Sequence, residues 1–219
     1  MGCRICYAQM ADIPAIAKVH RAAFPKSLSS ALGQKYIEKM LEWFVVTKKA
    51  FIFYAVDDYG KVVGYCGGLI NDGSLPTGPS SGMFQYSFYQ GIFSLILRPW
   101  IIFHPEIRKK YTFVLNNLKQ KFFNKLKQKR SKQQVKKERI TDVALVGIGV
   151  KPEYFGSGIS NALLKEFEQY AMKNNIHTIF LSVHVNNHRA IRAYKKNGWE
   201  TESIKGHSLV MNKYLGIEN

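Results

Sequence analysis

The chain has 219 residues, of which 46% are apolar and 21% charged, so it can bury a core beneath a charged surface. This length predicts a single domain, residues 1–219, with an insertion at residues 71–140. The three cysteines are too few for the disulfide framework of a secreted protein, and the sequence shows no signal peptide. We therefore expect a cytoplasmic location, and we predict no metal site.

The net charge of +17 is concentrated in one segment. Residues 98–139 contain 14 Lys or Arg but only two acidic residues, Glu106 and Glu138. The rest of the chain has 18 basic and 13 acidic side chains, so it is only slightly basic. The basic character is therefore a property of the insertion and not of the whole domain.

The residues before the insertion predict a strand, two helices and a hairpin. The first helix follows Asp12, a residue type that favours N-caps, and ends near Phe24. The second is expected to begin at a Ser30 cap and to end near Phe44. Strands are expected at residues 4–8, 51–56 and 61–70, the last two joined by a turn.

The insertion itself changes character along its length. Residues 71–82 have the composition of a loop, and residues 83–103 form an apolar stretch that Arg98 and Pro99 interrupt. This stretch is too short and too broken to span a bilayer as a helix. From residue 107 to residue 126, apolar positions recur every three or four residues among lysines, which predicts a basic amphipathic helix. Residues 128–138 are polar and rich in lysine.

Residues 143–160, VALVGIGVKPEYFGSGIS, are the centre of the prediction. They predict a strand that Pro152 ends, a glycine turn at Gly156 and Gly158, and a helix over residues 161–172. This order directs backbone N–H groups and the positive end of a helix dipole at one point, which suits a phosphate. Taken alone, the pattern is more often an ordinary turn between a strand and a helix.

The residues that follow supply a second motif. A strand is expected at residues 178–185, a short helix at 187–196 with Asn186 or Asn187 as its cap, and two terminal strands at 199–204 and 207–211. Residues 181–199 read L-S-V-x-x-x-N-x-x-A-I-x-x-Y-x-x-x-G-W.

With the glycine turn, this motif resembles the GNAT superfamily of N-acetyltransferases, a resemblance that covers residues 1–70 and 141–213. It implies an α/β (α+β) chain with the acyl-CoA N-acyltransferase fold. In that fold a mixed central sheet has helices on both faces and its central strands splay apart. Here the fold would carry a basic helical insertion.

The resemblance implies acetyl-CoA as the cofactor, with the pyrophosphate loop on residues 153–158, EYFGSG. Glu153 stands where the family has Gln or Arg. Backbone amides from Phe155 to Ser160 are expected to bind the pyrophosphate, and the pantetheine arm to pair with the central strand. The implied cofactor-binding residues are Ile148, Gly149, Val150, Phe155, Gly156, Ser157, Gly158, Ile159, Ser160, Asn187 and Tyr194.

Gly147 and Gly149 lie on one face of the central strand, and two interpretations of them remain open. By lacking a Cβ atom they make room for the cofactor arm, or they allow a helix to pack closely over the strand.

The implied chemistry is acyl transfer from a thioester to a neutral amine. The backbone N–H of Val150 is the expected oxyanion donor, and Tyr194 is the expected acid that protonates the leaving thiolate. The alternative for Tyr194 is a core aromatic. His184 is the first candidate for a general base because an imidazole pKa near 6.5 suits the role, and His20 and Glu42 are weaker candidates.

The predicted function is acetyl-CoA-dependent N-acetylation of the primary amine of a small molecule, such as an amino sugar, by a monomer or homodimer. A protein N-acetyltransferase is one alternative. A non-catalytic module that binds CoA or docks on a membrane is another, which Glu153 and the missing base keep open.

Three interpretations of the basic insertion remain open. It packs as a solvated helix on the domain, it contacts an anionic membrane on its cytoplasmic face through residues 91–139, or it binds nucleic acid or a phosphorylated acceptor. Nucleic acid is disfavoured because Tyr111 and Phe122 fall on the apolar stripe instead of alternating with basic residues.

Overall fold

The computed structural model describes residues 2–71, 79–109 and 142–216. Within them, the strands are β1 Cys3–Tyr7, β2 Ala50–Asp57, β3 Val62–Asn71, β4 Asp142–Val150, β5 Thr178–His184, β6 Glu200–Lys205 and β7 Ser208–Tyr214. The helices are α1 Ile13–Ala23, α2 Leu28–Leu32, α3 Gln34–Val46, α4 Pro79–Leu97, α5 Pro105–Lys109, α6 Ile159–Lys173 and α7 His188–Lys196. Short 3-10 turns lie at Met10–Asp12, Pro99–Phe103 and Pro152–Tyr154.

The strands form one mixed sheet in the order β1-β2-β3-β4-β5-β7-β6. Every neighbouring pair is antiparallel except β4 and β5, which are parallel and are connected through α6. One face of the sheet is covered by α6, which buries Leu163 and Phe167, and the other face by α1 and α3, which bury Ile16 and Ile37. The predicted fold class, a mixed sheet with helices on both faces, is confirmed.

The second predicted helix is wrong in its boundaries. Residues 28–46 form two helices, α2 and α3, which meet at Gly33. Gly33 has φ +96°, a left-handed conformation that glycine adopts readily and that interrupts the helix. The cap of α2 is Ser27, whose hydroxyl accepts from the Ser30 N–H, and Ser30 itself lies inside the helix and is buried. The apolar stripe remains in phase across the break, so the periodicity did not reveal it.

The insertion is helical earlier than predicted. The loop expected at residues 71–82 ends by Pro79, where α4 begins, and residues 72–78 lie outside the described residues. Helix α4 ends at Leu97, directly before Arg98 and Pro99, the two residues that interrupt the apolar stretch in the sequence. Within residues 2–71, 79–109 and 142–216, no helix is both long and apolar enough to cross a membrane. Of the amphipathic helix predicted at 107–126, only the first three residues are described, as the end of α5; the rest and the segment 128–138 lie outside the described residues.

Candidate active site between two central strands

The two central strands separate halfway along their length. They pair only at Val143 with Ile179, at Ala144 with Phe180 and at Leu145 with Leu181. Beyond Leu145, β4 continues beside β3 alone. The predicted splay between the central strands is therefore present.

A β-bulge coincides with this separation. Leu145 lies opposite Gly68 and Gly147 opposite Gly67, so Val146 is an extra residue on β4. Val146 packs against the core beneath α1 and α3, whereas Leu145 and Ile148 both contact the core beneath α6. A bulge bends its strand and increases the local twist, which accounts for the departure of β4 from β5.

The bend leaves backbone groups of β4 without a neighbouring strand. The Lys151 N–H donates to the Val63 carbonyl at 2.9 Å, on the β3 side. Because backbone groups alternate in direction along a strand, those of Ile148 and Val150 are directed to the opposite side, into the gap. These groups can pair with an extended amide-bearing ligand.

The glycine turn lies at the wide end of this gap. Gly156 and Gly158 have φ values of +84° and +87°, and a Cβ atom on either would meet nothing within 4 Å. Among the described residues, none accepts a hydrogen bond from the backbone N–H of Gly156, Gly158, Ile159 or Ser160. Those four donors, the last two at the start of α6, are available to an anion.

Two of the predicted amide donors are already used inside the turn. The Phe155 N–H donates to the Pro152 carbonyl at 3.1 Å, and the Ser157 N–H donates to the Tyr154 carbonyl at 3.3 Å. Fewer backbone N–H groups are thus free than the sequence predicted, because the carbonyls of the 3-10 turn Pro152–Tyr154 accept hydrogen bonds from two of them.

Tyr154 anchors this turn to the β2–β3 hairpin. Its hydroxyl donates to Asp57 Oδ2 at 2.6 Å, and Asp57 Oδ1 accepts from the backbone N–H groups of Tyr59 and Lys61. The Tyr154 hydrogen bond, with the two from backbone, lowers the pKa of the Asp57 carboxyl. The carboxylate therefore fixes the position of the glycine turn relative to the sheet.

Helix α7 forms the opposite wall. Its cap is Asn187, one of the two predicted residues, and the Asn187 side chain accepts from the Ala190 N–H at 3.2 Å. Tyr194 is 8% exposed and packs beside Trp199, and burial raises the pKa of its hydroxyl. No hydrogen-bond partner of the Tyr194 hydroxyl is found in the described part of the chain, so its proton is free for a ligand.

A cavity of about 510 Å³ occupies the gap. Of the predicted site residues, its lining includes Ile148, Gly149, Val150, Phe155, Gly156, Ser160, His184, Asn187 and Tyr194. Ser157, Gly158 and Ile159 are not among the lining residues, and the Ile159 side chain is buried in the core instead. The structure thus brings the two sequence motifs together around one space.

The two glycines of β4 differ in their surroundings. A Cβ atom on Gly149 would lie 2.7 Å from Tyr65, 3.1 Å from Phe24 and 3.2 Å from Ala23, whereas one on Gly147 would have only the Tyr65 hydroxyl nearby, at 3.8 Å. The end of α1 occupies the space beside Gly149, which agrees with the interpretation that this glycine allows a helix to pack closely over the strand. Gly147 faces more open space.

The structure leaves the candidate bases poorly placed. The Nδ1 atom of His184 accepts from the Asn186 N–H at 3.2 Å, so in the neutral ring Nε2 carries the hydrogen and the remaining polar atom is a donor. His20 lies outside the cavity lining, where its ring nitrogens bond the Tyr65 and Ser29 hydroxyls at 2.7 and 2.8 Å. Glu42 pairs with Lys39 on α3.

Sequence reasoning missed a cation in the cavity wall. The Arg189 guanidinium stacks on the Phe155 ring, with Cζ 3.3 Å from the ring centroid, and both residues line the cavity. Glu153 is exposed and does not line it. Arg189 lies in the first turn of α7, a helix end whose dipole disfavours cations, and this local conflict was the available signal.

Comparisons with known proteins find similarity in the part of the chain that surrounds the cavity. Residues 133–199 match the family model described as the acetyltransferase (GNAT) family. A comparison of the sequence with curated proteins finds no match.

Three similar solved structures share the fold at low sequence identity. PaiA N-acetyltransferase from Thermoplasma acidophilum, solved with coenzyme A, is 17% identical; the match covers 98% of this chain and 99% of that one, with a TM-score of 0.57. Aminoglycoside antibiotic 6'-N-acetyltransferase AAC(6')-Ih from Acinetobacter baumannii is 13% identical, with coverages of 93% and 95% and a TM-score of 0.54. Ribosomal-protein-S18-alanine N-acetyltransferase from Escherichia coli is 14% identical, with coverages of 100% and 97% and a TM-score of 0.52.

The region that matches the family model contains the bulged strand, the glycine turn and the Asn187–Tyr194 helix that surround the cavity. This part of the chain is thus similar to the acetyltransferase (GNAT) family, and the solved structures share the fold.

Proposed function

We propose that the protein is an acetyl-CoA-dependent N-acetyltransferase that acetylates a primary amine. The observation that carries the proposal is the gap between β4 and β5, where pairing stops at Leu145 and Leu181 and a cavity begins. The gap joins unpaired strand backbone to a turn of free N–H groups. These are the donors and acceptors that an amide-bearing arm with a diphosphate at its end requires.

The residues present fit such a cofactor. Backbone groups of Ile148 and Val150 would pair with the pantetheine amides, and the N–H groups of Gly156, Gly158 and Ser160 would donate to the diphosphate. Arg189 supplies a positive charge at the same wall, where Glu153 cannot. When bound, acetyl-CoA supplies the activated acetyl group.

Val150 and Tyr194 are the groups that act on the reaction. The Val150 N–H, directed into the gap, would donate to the acetyl oxygen as that oxygen gains negative charge. Burial raises the pKa of the Tyr194 hydroxyl, which is therefore protonated at neutral pH. It would donate its proton to the departing thiolate and regain one from the solvent that takes up the proton of the amine. Asn187 holds the start of the helix that carries Tyr194.

We assign the amine's proton to solvent and not to a side-chain base. Within the described lining of the cavity, His184 is the one imidazole and no carboxylate is present, and the His184 Nδ1 atom is occupied by the Asn186 N–H. An amine that is neutral at the working pH needs no base to attack.

The acceptor class is the finer part of the proposal. We favour a small-molecule amine such as an amino sugar, in keeping with the sequence prediction and with a similar structure that is named for an aminoglycoside. The protein acceptor named for another similar structure is the competing class.

Calorimetry with CoA and a thiol-release assay with acetyl-CoA would test the proposal. The assay needs three acceptor sets: aminoglycosides, polyamines and peptides with free N-termini. We expect CoA binding and faster thiol release with one of the first two sets. Turnover with peptides alone would replace the small-molecule acceptor with a protein. Binding without turnover on all three sets would make the protein a CoA-binding module, and absence of binding would refute the proposal.

A further inference from the structure

The contact between the Phe155 ring and the Arg189 guanidinium joins the two walls of the cavity. Phe155 directly precedes Gly156 in the glycine turn that follows β4, and Arg189 lies in the first turn of α7, which follows β5. Both residues line the cavity. The contact therefore connects the wall that carries the free N–H groups with the wall that carries Tyr194.

The geometry of this contact is that of a stacked guanidinium. Arg189 Cζ lies 3.3 Å from the centroid of the Phe155 ring, which is too close for the guanidinium to stand upright on the ring. The planar group therefore lies along the ring, and its N–H groups are directed outward around the edge of the stack. Among residues 2–71, 79–109 and 142–216, no hydrogen-bond or ion-pair partner of this guanidinium is found. Arg189 thus keeps its donors available while it is stacked.

The 3-10 turn before the glycines fixes the backbone that carries the Phe155 ring. The Phe155 N–H donates to the Pro152 carbonyl at 3.1 Å. The preceding residue, Tyr154, is held by its hydrogen bond of 2.6 Å to Asp57. The Phe155 amide, which the sequence predicted to bind the pyrophosphate, is therefore used inside the turn, and the ring is the part of this residue that remains available at the cavity.

The position of Arg189 is electrostatically unfavourable in the protein alone. Arg189 is the second residue of α7, where the positive end of the helix dipole disfavours a cation. No carboxylate offsets it among the described residues that line the cavity. An anion bound beside the guanidinium would offset this cost, and it would also accept from the free N–H groups of Gly156, Gly158 and Ser160. The surroundings of Arg189 therefore favour an anionic ligand.

We propose that Phe155 is a positioning residue for cofactor binding, whose ring holds the Arg189 guanidinium in place for the diphosphate. The inference rests on the proposed function, because the diphosphate is that of CoA. An arginine side chain that is free in solvent loses rotamer freedom when it binds a phosphate, and the Phe155 ring imposes that loss before binding. The ring thereby raises the affinity for CoA and contributes to the preference for CoA over a phosphate-free pantetheine thioester.

Calorimetry of the full chain with CoA and with acetyl-pantetheine tests this role. Phe155→Leu keeps an apolar side chain but removes the aromatic face, and should weaken CoA binding about fivefold, the cost of ordering one long side chain. Phe155→Tyr keeps the aromatic face and should bind CoA as the wild type does. Acetyl-pantetheine should bind all three proteins equally. The control Tyr214→Leu removes an aromatic ring that is 72% exposed and does not line the cavity, and should change neither affinity.

A double-mutant cycle separates positioning from a merely structural role. In the Arg189→Ala background, Phe155→Leu should cause no further loss of CoA affinity, because no guanidinium is left to hold. A ring that only supports the glycine turn would lower the affinity in both backgrounds, since it would act on the backbone N–H donors.

NMR of the free protein gives a readout that needs no cofactor. The side-chain protons of Arg189 should be shifted upfield by the ring current in the wild type and in Phe155→Tyr. Phe155→Leu should lose this shift. Absence of the shift in the wild type would show that the guanidinium is not stacked in solution, and would overturn the inference.

The binding data can overturn the inference in three further ways. Equal CoA affinity of the wild type and Phe155→Leu would show that the guanidinium needs no support. Tighter CoA binding by Phe155→Leu would show that the stack obstructs the cavity. Additive losses in the double variant would make Phe155 a structural residue. Each of these results would leave the proposed function intact, whereas absence of CoA binding by the wild type would refute both.

Discussion

At the scale of single residues, the site depends on two side chains in α7 that the fold holds in different ways. Tyr194 is buried beside Trp199, whereas Arg189 is exposed and stacks on the Phe155 ring, and both residues line the cavity. The first is suited to proton donation and the second to the binding of phosphate. Substitutions should therefore separate turnover from cofactor affinity.

Replacement of Tyr194 by Phe should lower kcat for acetyl transfer at least tenfold, because the thiolate then leaves without a positioned proton donor. Calorimetric affinity for CoA should change little, since the ring still fills its place. A variant that turns over at the wild-type rate would show that Tyr194 is a core aromatic only.

Replacement of Arg189 by Ala should weaken CoA binding about tenfold, a loss of about 1.4 kcal/mol, because a phosphate contact is removed. Binding of acetyl-pantetheine, which has no phosphate, should not change. Arg192→Ala is the matched control, since Arg192 is exposed on the same helix and does not line the cavity. An equal loss in both variants would indicate a general charge effect instead of a contact.

At the scale of elements, one extra residue in β4 accounts for the opening of the sheet. Val146 is bulged, and β4 pairs with β5 only up to the residue before it. The remaining residues keep their alternation on both sides of the bulge, with Leu145 and Ile148 on the same face. The bulge can therefore be removed without a reversal of the faces of the strand.

Deletion of Val146 should close much of the gap and weaken CoA binding at least tenfold, while circular dichroism still shows a folded protein. Deletion of Glu202 is the control, because it is the extra residue of a similar irregularity on the edge strand β6. Retained affinity after deletion of Val146 would show that the bulge does not hold the strands apart.

Two glycines on neighbouring strands should differ sharply in their tolerance of alanine. A Cβ atom on Gly68 would overlap the Phe51 ring and crowd Phe167 in the core, whereas Gly147 has only the Tyr65 hydroxyl near, at 3.8 Å. Gly68→Ala should lower the free energy of unfolding by about 1–3 kcal/mol through overpacking. Gly147→Ala should leave it nearly unchanged. Urea denaturation of both variants measures the difference, and equal values would contradict the packing described.

Much of the structure at the scale of helices, strands and turns could be predicted from the sequence, because the signals for these elements are local. The glycine turn, a cap at Asn186 or Asn187 and the positions of seven strands along the chain were predicted from motifs a few residues long. The structure has the turn, the cap at Asn187 and a strand in each of the seven places. The bulge at Val146 lies in a uniformly apolar run with no break in pattern. The Arg189–Phe155 contact joins residues that are distant in sequence, so neither could be read from spacing.

At the scale of the whole molecule, stability in acid is set in part by the partly buried imidazole of His20. Burial lowers the pKa of His20 to about 4, and its two nitrogens bond the Tyr65 and Ser29 hydroxyls. The folded protein therefore holds this histidine neutral in a range where the unfolded chain protonates it. The contribution is present above pH ~6.5 and is lost as the pH falls toward 4.

We expect His20 to account for about 3 kcal/mol of the decrease in unfolding free energy between pH 6.5 and 4, since a pKa shift of one unit corresponds to about 1.4 kcal/mol. Carboxylates titrate in the same range, so the measurement is the difference between the wild type and His20→Gln, by urea denaturation at several pH values. Parallel pH profiles of the two proteins would contradict this role.

The fold outside the insertion was predictable because the family resemblance, which covers residues 1–70 and 141–213, implies the order of its elements. The outward face of α4 was not, since composition alone does not tell which side of an apolar helix is buried. The cytoplasmic location, the division into one domain with an insertion and the choice between monomer and homodimer stay predictions.

The widening between β4 and β5 also has a pharmacological consequence. At Ile148 and Val150, the edge of β4 that faces β5 has no neighbouring strand. A short extended peptidomimetic can pair with this edge through regular backbone hydrogen bonds. Such a compound would compete with the cofactor without a phosphate group, and so without the charge that hinders entry into cells.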